Sequence, residues 1–127
     1  MDRANLGGQT ILVVEEEPLI ALDLQRALKA AGAEVQVVRN ATDALERIRR
    51  SNFLAAVVDW RPKSDHHRTV ARALKQKGVR FVFYATHPPE DVTTVRGVPI
   101  FLKPARPEEI VRALALLTGP SSNNDRR

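Results

Sequence analysis

The sequence contains no cysteine, which excludes disulfide bonds, thiol catalysis and zinc sites with cysteine ligands. It also contains no long apolar run, since no stretch approaches the roughly 20 residues that cross a bilayer. The N-terminal MDRANLGGQT lacks the apolar segment of a secretory signal. These absences predict a cytoplasmic protein that makes no membrane contact.

A glycine-rich phosphate loop is absent as well. After the first apolar run the chain reads EEEP, and neither G-x-G-x-x-G nor a Walker lysine motif occurs. An acidic turn repels phosphates unless a metal ion lies between them, so most dinucleotide and nucleotide sites are excluded. The net charge is +5, but the arginines are scattered and aromatic residues do not interleave with them, so no nucleic-acid partner is expected.

Three apolar runs that end in charged residues are the most informative feature present: ILVVEEE (11–17), AAVVDW (55–60) and VPIFLKP (98–104). Runs of Val, Ile and Leu without alternation are typical of strands buried on both faces of a parallel sheet. Because the carboxyl ends of such strands form one edge, we expect Glu15, Glu16, Asp59 and Lys103 to lie together. Several acids and one lysine suit a divalent cation and a phosphoryl group.

Apolar spacing and turn residues predict five strands that alternate with about five helices, in a doubly wound parallel α/β sheet with helices on both faces. The predicted strands are 11–14, 33–38, 53–58, 79–84 and 98–102. The predicted helices begin at Pro18, after Asn40, after the loop 60–67 and near Pro107, and 87–97 is expected to form one or two further turns. We divide the chain into an N-terminal extension (1–9), one domain (10–118) and a disordered polar tail (119–127).

Carboxylates after the first strand, a lone aspartate after the third and Lys-Pro after the fifth resemble the CheY-like receiver domain of response regulators in bacterial two-component systems. The resemblance covers roughly residues 10–118. It implies a flavodoxin-like sheet with strand order 2-1-3-4-5. It also implies a single-domain response regulator that receives a phosphoryl group and signals through contact with another protein. Apart from slow autodephosphorylation, no enzyme activity is expected.

The resemblance assigns a role to each charged residue. Asp59 is the expected phosphoacceptor, and Lys103 is expected to contact the phosphoryl group. Glu15, Glu16, Asp59 and the backbone carbonyl of Arg61 are expected to hold Mg²⁺ or Mn²⁺, which cancels the repulsion between carboxylates and phosphate. The phosphodonor is expected to be a sensor histidine kinase or a phosphotransfer protein.

The resemblance also implies a partner surface and a chain that is a monomer or a weak dimer. The expected docking face comprises the 87–97 segment, the fifth strand and the last helix. Its candidate contacts are Arg96, Ile100, Arg106 and Arg112, and the positive charge of the three arginines suits an acidic partner. Pro104 matches a proline that often follows a cis peptide bond in the family.

Several positions depart from the family pattern. The acidic pair after the first strand, Glu15 and Glu16, contains no Asp, whereas the family pair usually includes one, and the Glu side chain is one methylene longer. Ala85 aligns with the Thr or Ser at the end of the fourth strand, and Thr86 follows one residue later, where alternation is expected to turn its hydroxyl away. Ile100 stands where an aromatic switch residue is usual. We therefore expect weak coupling between phosphorylation and the partner face.

Two other functions remain open. Ala85 favours a pseudo-receiver that binds partners without phosphorylation, whereas Asp59 and Lys103 argue against it. A haloacid-dehalogenase-like phosphatase also places an aspartate nucleophile after a strand, but Arg61 stands where its second aspartate would be.

Simpler interpretations also exist for single residues. The acids 15–17 could serve only the dipole of the first helix. His66 and His67 are expected to be solvated loop residues. Trp60 either packs in the core, shields the acceptor pocket or contacts a partner.

Overall fold

A computed structural model describes residues 6–61, 66–87 and 96–119. The described residues form five strands and four helices. In chain order these are β1 (Thr10–Val14), α1 (Pro18–Ala30), β2 (Glu34–Val38), α2 (Ala41–Arg50), β3 (Ala55–Trp60), α3 (His66–Gln76), β4 (Arg80–Ala85), β5 (Ile100–Leu102) and α4 (Pro107–Thr118).

The strands form one parallel sheet in the order β2-β1-β3-β4-β5. This confirms the doubly wound, flavodoxin-like architecture. Strand β1 lies between β2 and β3, and the chain reverses its direction of winding there, which places a crevice beside the carboxyl ends of β1 and β3.

Helices cover both faces of the sheet, and each face has its own apolar layer. Helices α2 and α3 pack on one face, where Ile48 and Leu74 meet Leu12 and Phe83. Helices α1 and α4 pack on the other, where Leu24 and Ile110 join the layer. Because strand side chains alternate, neighbouring residues of β3 belong to opposite layers.

Local sequence explains where the helices begin and end. Pro18 is the first residue of α1, where its missing N–H costs nothing. Asn40 caps α2 by accepting a 2.8 Å hydrogen bond from the backbone N–H of Asp43. Gly32 follows α1 with φ 96°, and a Cβ there would lie 2.9 Å from the Cα of Gly7, so this turn requires glycine.

Some predicted boundaries differ from the observed ones. Leu6, assigned to the N-terminal extension, is buried in the α1–α4 layer, and its N–H donates to the Ala31 carbonyl. Strand β3 lies two residues later than predicted, so Asp59 is inside it. The predicted 87–97 turn falls mostly outside the described residues, as does the polar tail beyond Gly119.

Helix α1 buries only some of its apolar side chains. Leu19 and Leu22 are exposed, whereas Ala21, Leu24 and Leu28 are buried. The repeated leucines of this helix therefore do not all face the sheet.

Candidate functional site

The carboxyl ends of three strands bring Glu15, Asp59 and Lys103 together. Glu15 follows β1, Asp59 lies near the end of β3, and Lys103 follows β5. Each is an even number of residues after a side chain of the α1–α4 layer (Val13, Val57 and Phe101), so strand alternation directs all three to the same face.

These three side chains form a buried charge cluster. The Lys103 Nζ donates to Asp59 Oδ1 at 2.7 Å and lies 3.2 Å from Glu15 Oε1. The side chains of Glu15, Asp59 and Lys103 are only 1%, 7% and 8% exposed. Such a group is stable only when the charges compensate one another, and it confirms that the three runs converge at one edge.

Backbone geometry and an aromatic ring hold Lys103 in place. The Lys103–Pro104 peptide bond is cis, and the Lys103 N–H donates to the Ala85 carbonyl at 2.7 Å. The Lys103 Nζ lies 5.3 Å from the centre of the Tyr84 ring. The Tyr84 hydroxyl accepts from the Ala105 N–H at 2.9 Å, which ties β4 to the segment after Lys103.

The Arg61 side chain also belongs to the cluster, although the resemblance implies a role only for its backbone carbonyl. Its Nε donates to Asp59 Oδ2 at 2.8 Å and lies 3.2 Å from Glu16 Oε1. Its Nη2 lies 3.7 Å from Glu15 Oε2. Arg61 stands two residues after Asp59, and this spacing, which puts both on one face of an extended strand, was the available signal.

Charge and burial shift two pKa values in the cluster. Burial, and next the neighbouring Asp59 carboxylate, raise the pKa of Glu15 above its ordinary value. The hydrogen bond to Asp59 raises the pKa of Arg61, which is charged in any case. The pocket therefore holds two cationic side chains, Lys103 and Arg61, among three carboxyl groups, and burial penalises ionisation of Glu15.

Two curated relatives are 31% identical to this chain. The sensor protein TorS of Escherichia coli matches 94% of the chain and 14% of its own length. The phyllosphere-induced regulator PhyR of Methylorubrum extorquens matches 79% of the chain and 40% of its own length. The chain thus spans less than half of either relative, and no family model matches it.

Comparison with solved structures identifies the fold of this chain. A response regulator receiver protein from Sinorhizobium medicae superimposes with a TM-score of 0.80, at 23% identity, over 91% of this chain and 98% of that one. The receiver domain of the sensor histidine kinase PA1611 from Pseudomonas aeruginosa gives 0.76, at 22% identity, over 89% and 99%. This chain has the response-regulator receiver fold. The PA1611 structure is described with a magnesium ion coordinated in its active site cleft.

The end of β4 differs from what alignment to the receiver pattern suggested. Ala85 pairs with Trp60 and packs in the α2–α3 layer, so its side chain is on the face opposite Asp59. The argument that alternation turns the Thr86 hydroxyl away is therefore wrong, because Thr86 shares the parity of Tyr84, which pairs with Asp59. Thr86 follows the strand, is exposed, and its hydroxyl lies 3.0 Å from His87 Nδ1.

Ile100 and Trp60 both pack against the α2–α3 layer of this receiver fold. Ile100, at the position usually aromatic, is partly buried against that layer. Trp60 is 7% exposed and stacks on His67 with ring centres 4.0 Å apart. Packing, rather than shielding of the acceptor, therefore describes Trp60.

The prediction of two solvated loop histidines is wrong for His67. Helix α3 begins at His66, and His67 is buried in its first turn against Trp60 and Phe83. Of these two histidines, only His66 is exposed.

The acids before α1 do not act as conventional helix caps. Glu17 occupies the N-cap position without a capping hydrogen bond from its side chain. Glu15 Oε2 instead accepts from the Glu17 N–H at 3.1 Å. A role confined to the helix dipole therefore does not explain why Glu15 is buried beside Lys103.

The carboxylates at the ends of β1 and β3 are ligands of the type that a divalent cation prefers. Their present arrangement, however, does not suit the ion. Glu15 Oε1 accepts no hydrogen bond from any described residue, although the Lys103 Nζ lies 3.2 Å from it, so this oxygen has a lone pair available for a cation. However, Asp59 Oδ1 and Oδ2 already accept from Lys103 and Arg61. Across residues 6–61, 66–87 and 96–119, no three acidic or histidine side chains cluster closely enough to hold a metal ion. In this arrangement the residues do not fit the ion.

Within those same residues, no helix has the length and apolar character needed to cross a membrane. A pocket of ≈ 240 Å³ lies beside the acceptor, between the sheet and helices α2 and α3. Asp59, Arg61, Glu16 and Arg39 line its polar side.

Proposed function

We propose that this chain is a response regulator that accepts a phosphoryl group on Asp59 and signals through contact with another protein. One observation carries the proposal: a nearly buried aspartate near the end of the central strand accepts a 2.7 Å hydrogen bond from a nearly buried lysine. Burial of this kind is costly, so a charged cluster at the crevice of a doubly wound sheet favours a functional site.

Phosphoryl transfer to this site requires a nucleophile in line with the leaving group and cations beside the transferred oxygens. An Asp59 oxygen attacks the phosphorus of a phosphohistidine, a new P–O bond forms, and the P–N bond breaks. Its electron pair returns to the imidazole nitrogen of the kinase or phosphotransfer protein. Lys103 then exchanges its contact with Asp59 for one with a phosphoryl oxygen, as a compact point charge.

Intact-mass spectrometry after treatment with acetyl phosphate tests this proposal. We expect one added phosphate on the wild type and none on Asp59→Asn. Asp43→Asn, which removes an exposed carboxylate in the first turn of α2, is the matched control and should label like the wild type. Equal labelling of wild type and Asp59→Asn would refute Asp59 as the acceptor.

A divalent cation, Mg²⁺ or Mn²⁺, belongs to the proposal in a restricted form. Glu16, Asp59 and the Arg61 carbonyl are its proposed ligands, supported by Glu15. The carboxylates contact the Arg61 guanidinium instead, so these acids are available to an ion only after that side chain has moved.

The proposed docking face for partners is β5 and helix α4 with the chain before β5. Arg96, Arg106 and Arg112 are exposed there, and Leu102 and Leu116 add apolar surface at 47% and 68% exposure. Positive charge around exposed apolar side chains suits an acidic partner. Reversal of charge at Arg106 and Arg112 should weaken partner capture, and unchanged capture would assign docking to another face.

A pseudo-receiver is the second candidate, and the Arg61 contacts favour it. Both oxygens of Asp59 are engaged by cationic side chains of the same chain, so a partner could recognise this state without phosphorylation. Absence of any added phosphate under conditions that label an established receiver, with partner binding retained by Asp59→Asn, would favour this candidate.

A further inference from the structure

The Arg61 guanidinium lies where three carboxylates converge. It is within hydrogen-bonding distance of Asp59 and Glu16 and 3.7 Å from Glu15. These three acids are the side chains that the receiver-domain resemblance predicts as metal ligands. A guanidinium carries one charge and several donors in a fixed plane, which allows it to bridge carboxylates.

The charges of the described cluster explain why some cation must be there. Glu15, Glu16 and Asp59 can contribute three negative charges, and Lys103 supplies one positive charge. Lys103 reaches Asp59 and Glu15, but its contacts do not include Glu16. Without Arg61, the outer side of the cluster would contain carboxylates that repel one another.

Arg61 is also able to leave. Its side chain is 40% exposed, in contrast to the nearly buried Lys103. Ion pairs with an exposed partner are screened by water and contribute little, and Mg²⁺ holds carboxylates with twice the charge at 2.0–2.1 Å. The guanidinium can therefore exchange with an ion at modest cost, whereas Lys103 is fixed in place.

We propose that Arg61 is a built-in cation of the acceptor pocket and that a divalent ion binds only by displacing its guanidinium from Asp59 and Glu16. Arg61 then sets the metal concentration at which the pocket changes from a closed, internally neutralised state to a metal-bound one. The proposal refines the site of the proposed function, but it concerns the unphosphorylated chain and does not depend on whether Asp59 accepts a phosphoryl group.

Titration calorimetry with MgCl₂, without phosphodonor, tests the affinity. We expect Arg61→Gln to bind Mg²⁺ about tenfold more tightly than the wild type, the factor that corresponds to about 1.4 kcal/mol. Arg39→Gln is the matched control. Arg39 lines the same pocket and donates to the Glu16 backbone carbonyl at 3.4 Å, so its removal deletes the same charge without deleting a carboxylate contact. The Mg²⁺ affinity of Arg39→Gln should stay within about twofold of the wild-type value.

NMR of the ¹⁵N-labelled wild type tests displacement directly. The Arg61 Nε–H resonance, assigned by its loss in Arg61→Gln, should shift with the same midpoint as the calorimetric titration. The proposal is overturned if wild type and Arg61→Gln bind Mg²⁺ with equal affinity, or if Arg61→Gln and Arg39→Gln gain the same Mg²⁺ affinity. It is also overturned if the Arg61 Nε–H resonance does not shift with Mg²⁺, or if none of the proteins binds Mg²⁺. Failure of phosphorylation alone would overturn only the proposed function.

Discussion

At the scale of single residues, the acceptor pocket is a balance between burial and charge. Lys103 and Asp59 lie 2.7 Å apart with little exposure to water, so each would be costly to bury without the other. Glu15 is nearly inaccessible, and burial raises its pKa. Arg61 contacts the carboxylates from the solvent side and is the most exposed of these four side chains.

Tyr84→Phe should lower the free energy of unfolding by about 1–3 kcal/mol, because it leaves the Ala105 N–H without its 2.9 Å acceptor. The ring itself, which contacts the core and lies near Lys103, is retained. Urea unfolding followed by circular dichroism measures the change. An unchanged midpoint at unchanged slope would indicate that this hydrogen bond contributes nothing net.

At the scale of elements, strand alternation decides which side chains face the pocket. Asp59 and Tyr84 are register partners, and so are Trp60 and Ala85. Tyr84 packs in the α1–α4 layer, whereas Trp60 and Ala85 pack in the α2–α3 layer. A hydroxyl at residue 85 would therefore enter an aromatic core instead of approaching a phosphoryl group.

Ala85→Thr should destabilise the protein by about 1–3 kcal/mol, since it adds volume and an unpaired hydroxyl at a fully buried position. We also expect that this substitution does not increase the change in partner affinity on phosphorylation. Ala85→Val is the matched control, because it adds a similar volume without the hydroxyl. The valine variant should have a higher midpoint temperature of thermal unfolding than the threonine variant. A threonine variant as stable as wild type would show that this face accommodates a polar group.

Helix α2 offers a second test at this scale. Asn40→Ala removes the side-chain oxygen that accepts from the Asp43 N–H and should cost about 1 kcal/mol of stability. Asn40→Ser keeps an acceptor at the cap and should recover most of the loss. If the alanine and serine variants unfold at the same urea concentration, the cap does not contribute as proposed.

At the scale of the whole molecule, two apolar layers share one sheet, so each layer depends on the other. Strand β1 lies between β2 and β3 and contributes Leu12 to one layer and Val13 to the other. A change in either layer is therefore expected to reduce the stability of the whole domain.

Leu12→Ala should cost about 2–5 kcal/mol, a large share of the ~5–15 kcal/mol typical of a domain. Leu116→Ala, at a position that is 68% exposed, should change stability by less than about 0.5 kcal/mol. Urea titrations of both variants provide the comparison. Similar losses from the two substitutions would contradict the assignment of the core.

The patterns of apolar runs determined the sheet, its winding and the convergence of Glu15, Asp59 and Lys103. These follow from chain-local rules: unbroken Val, Ile and Leu make buried parallel strands, and the carboxyl ends of such strands share an edge. The starts of three helices, at Pro18, after Asn40 and at Pro107, were predictable for the same reason, because capping depends on a few neighbouring residues.

Only the tertiary structure decided the position of the Arg61 side chain, the face on which Ala85 lies and the burial of Leu6. Each depends on a partner that is distant in the chain or on the residue at which a strand ends. A shift of one residue moves a side chain to the other face, so the alignment of Ala85 with a pocket position misplaced it. A flexible arginine adopts the position where carboxylates from separate strands converge, and that position exists only once the strands are assembled.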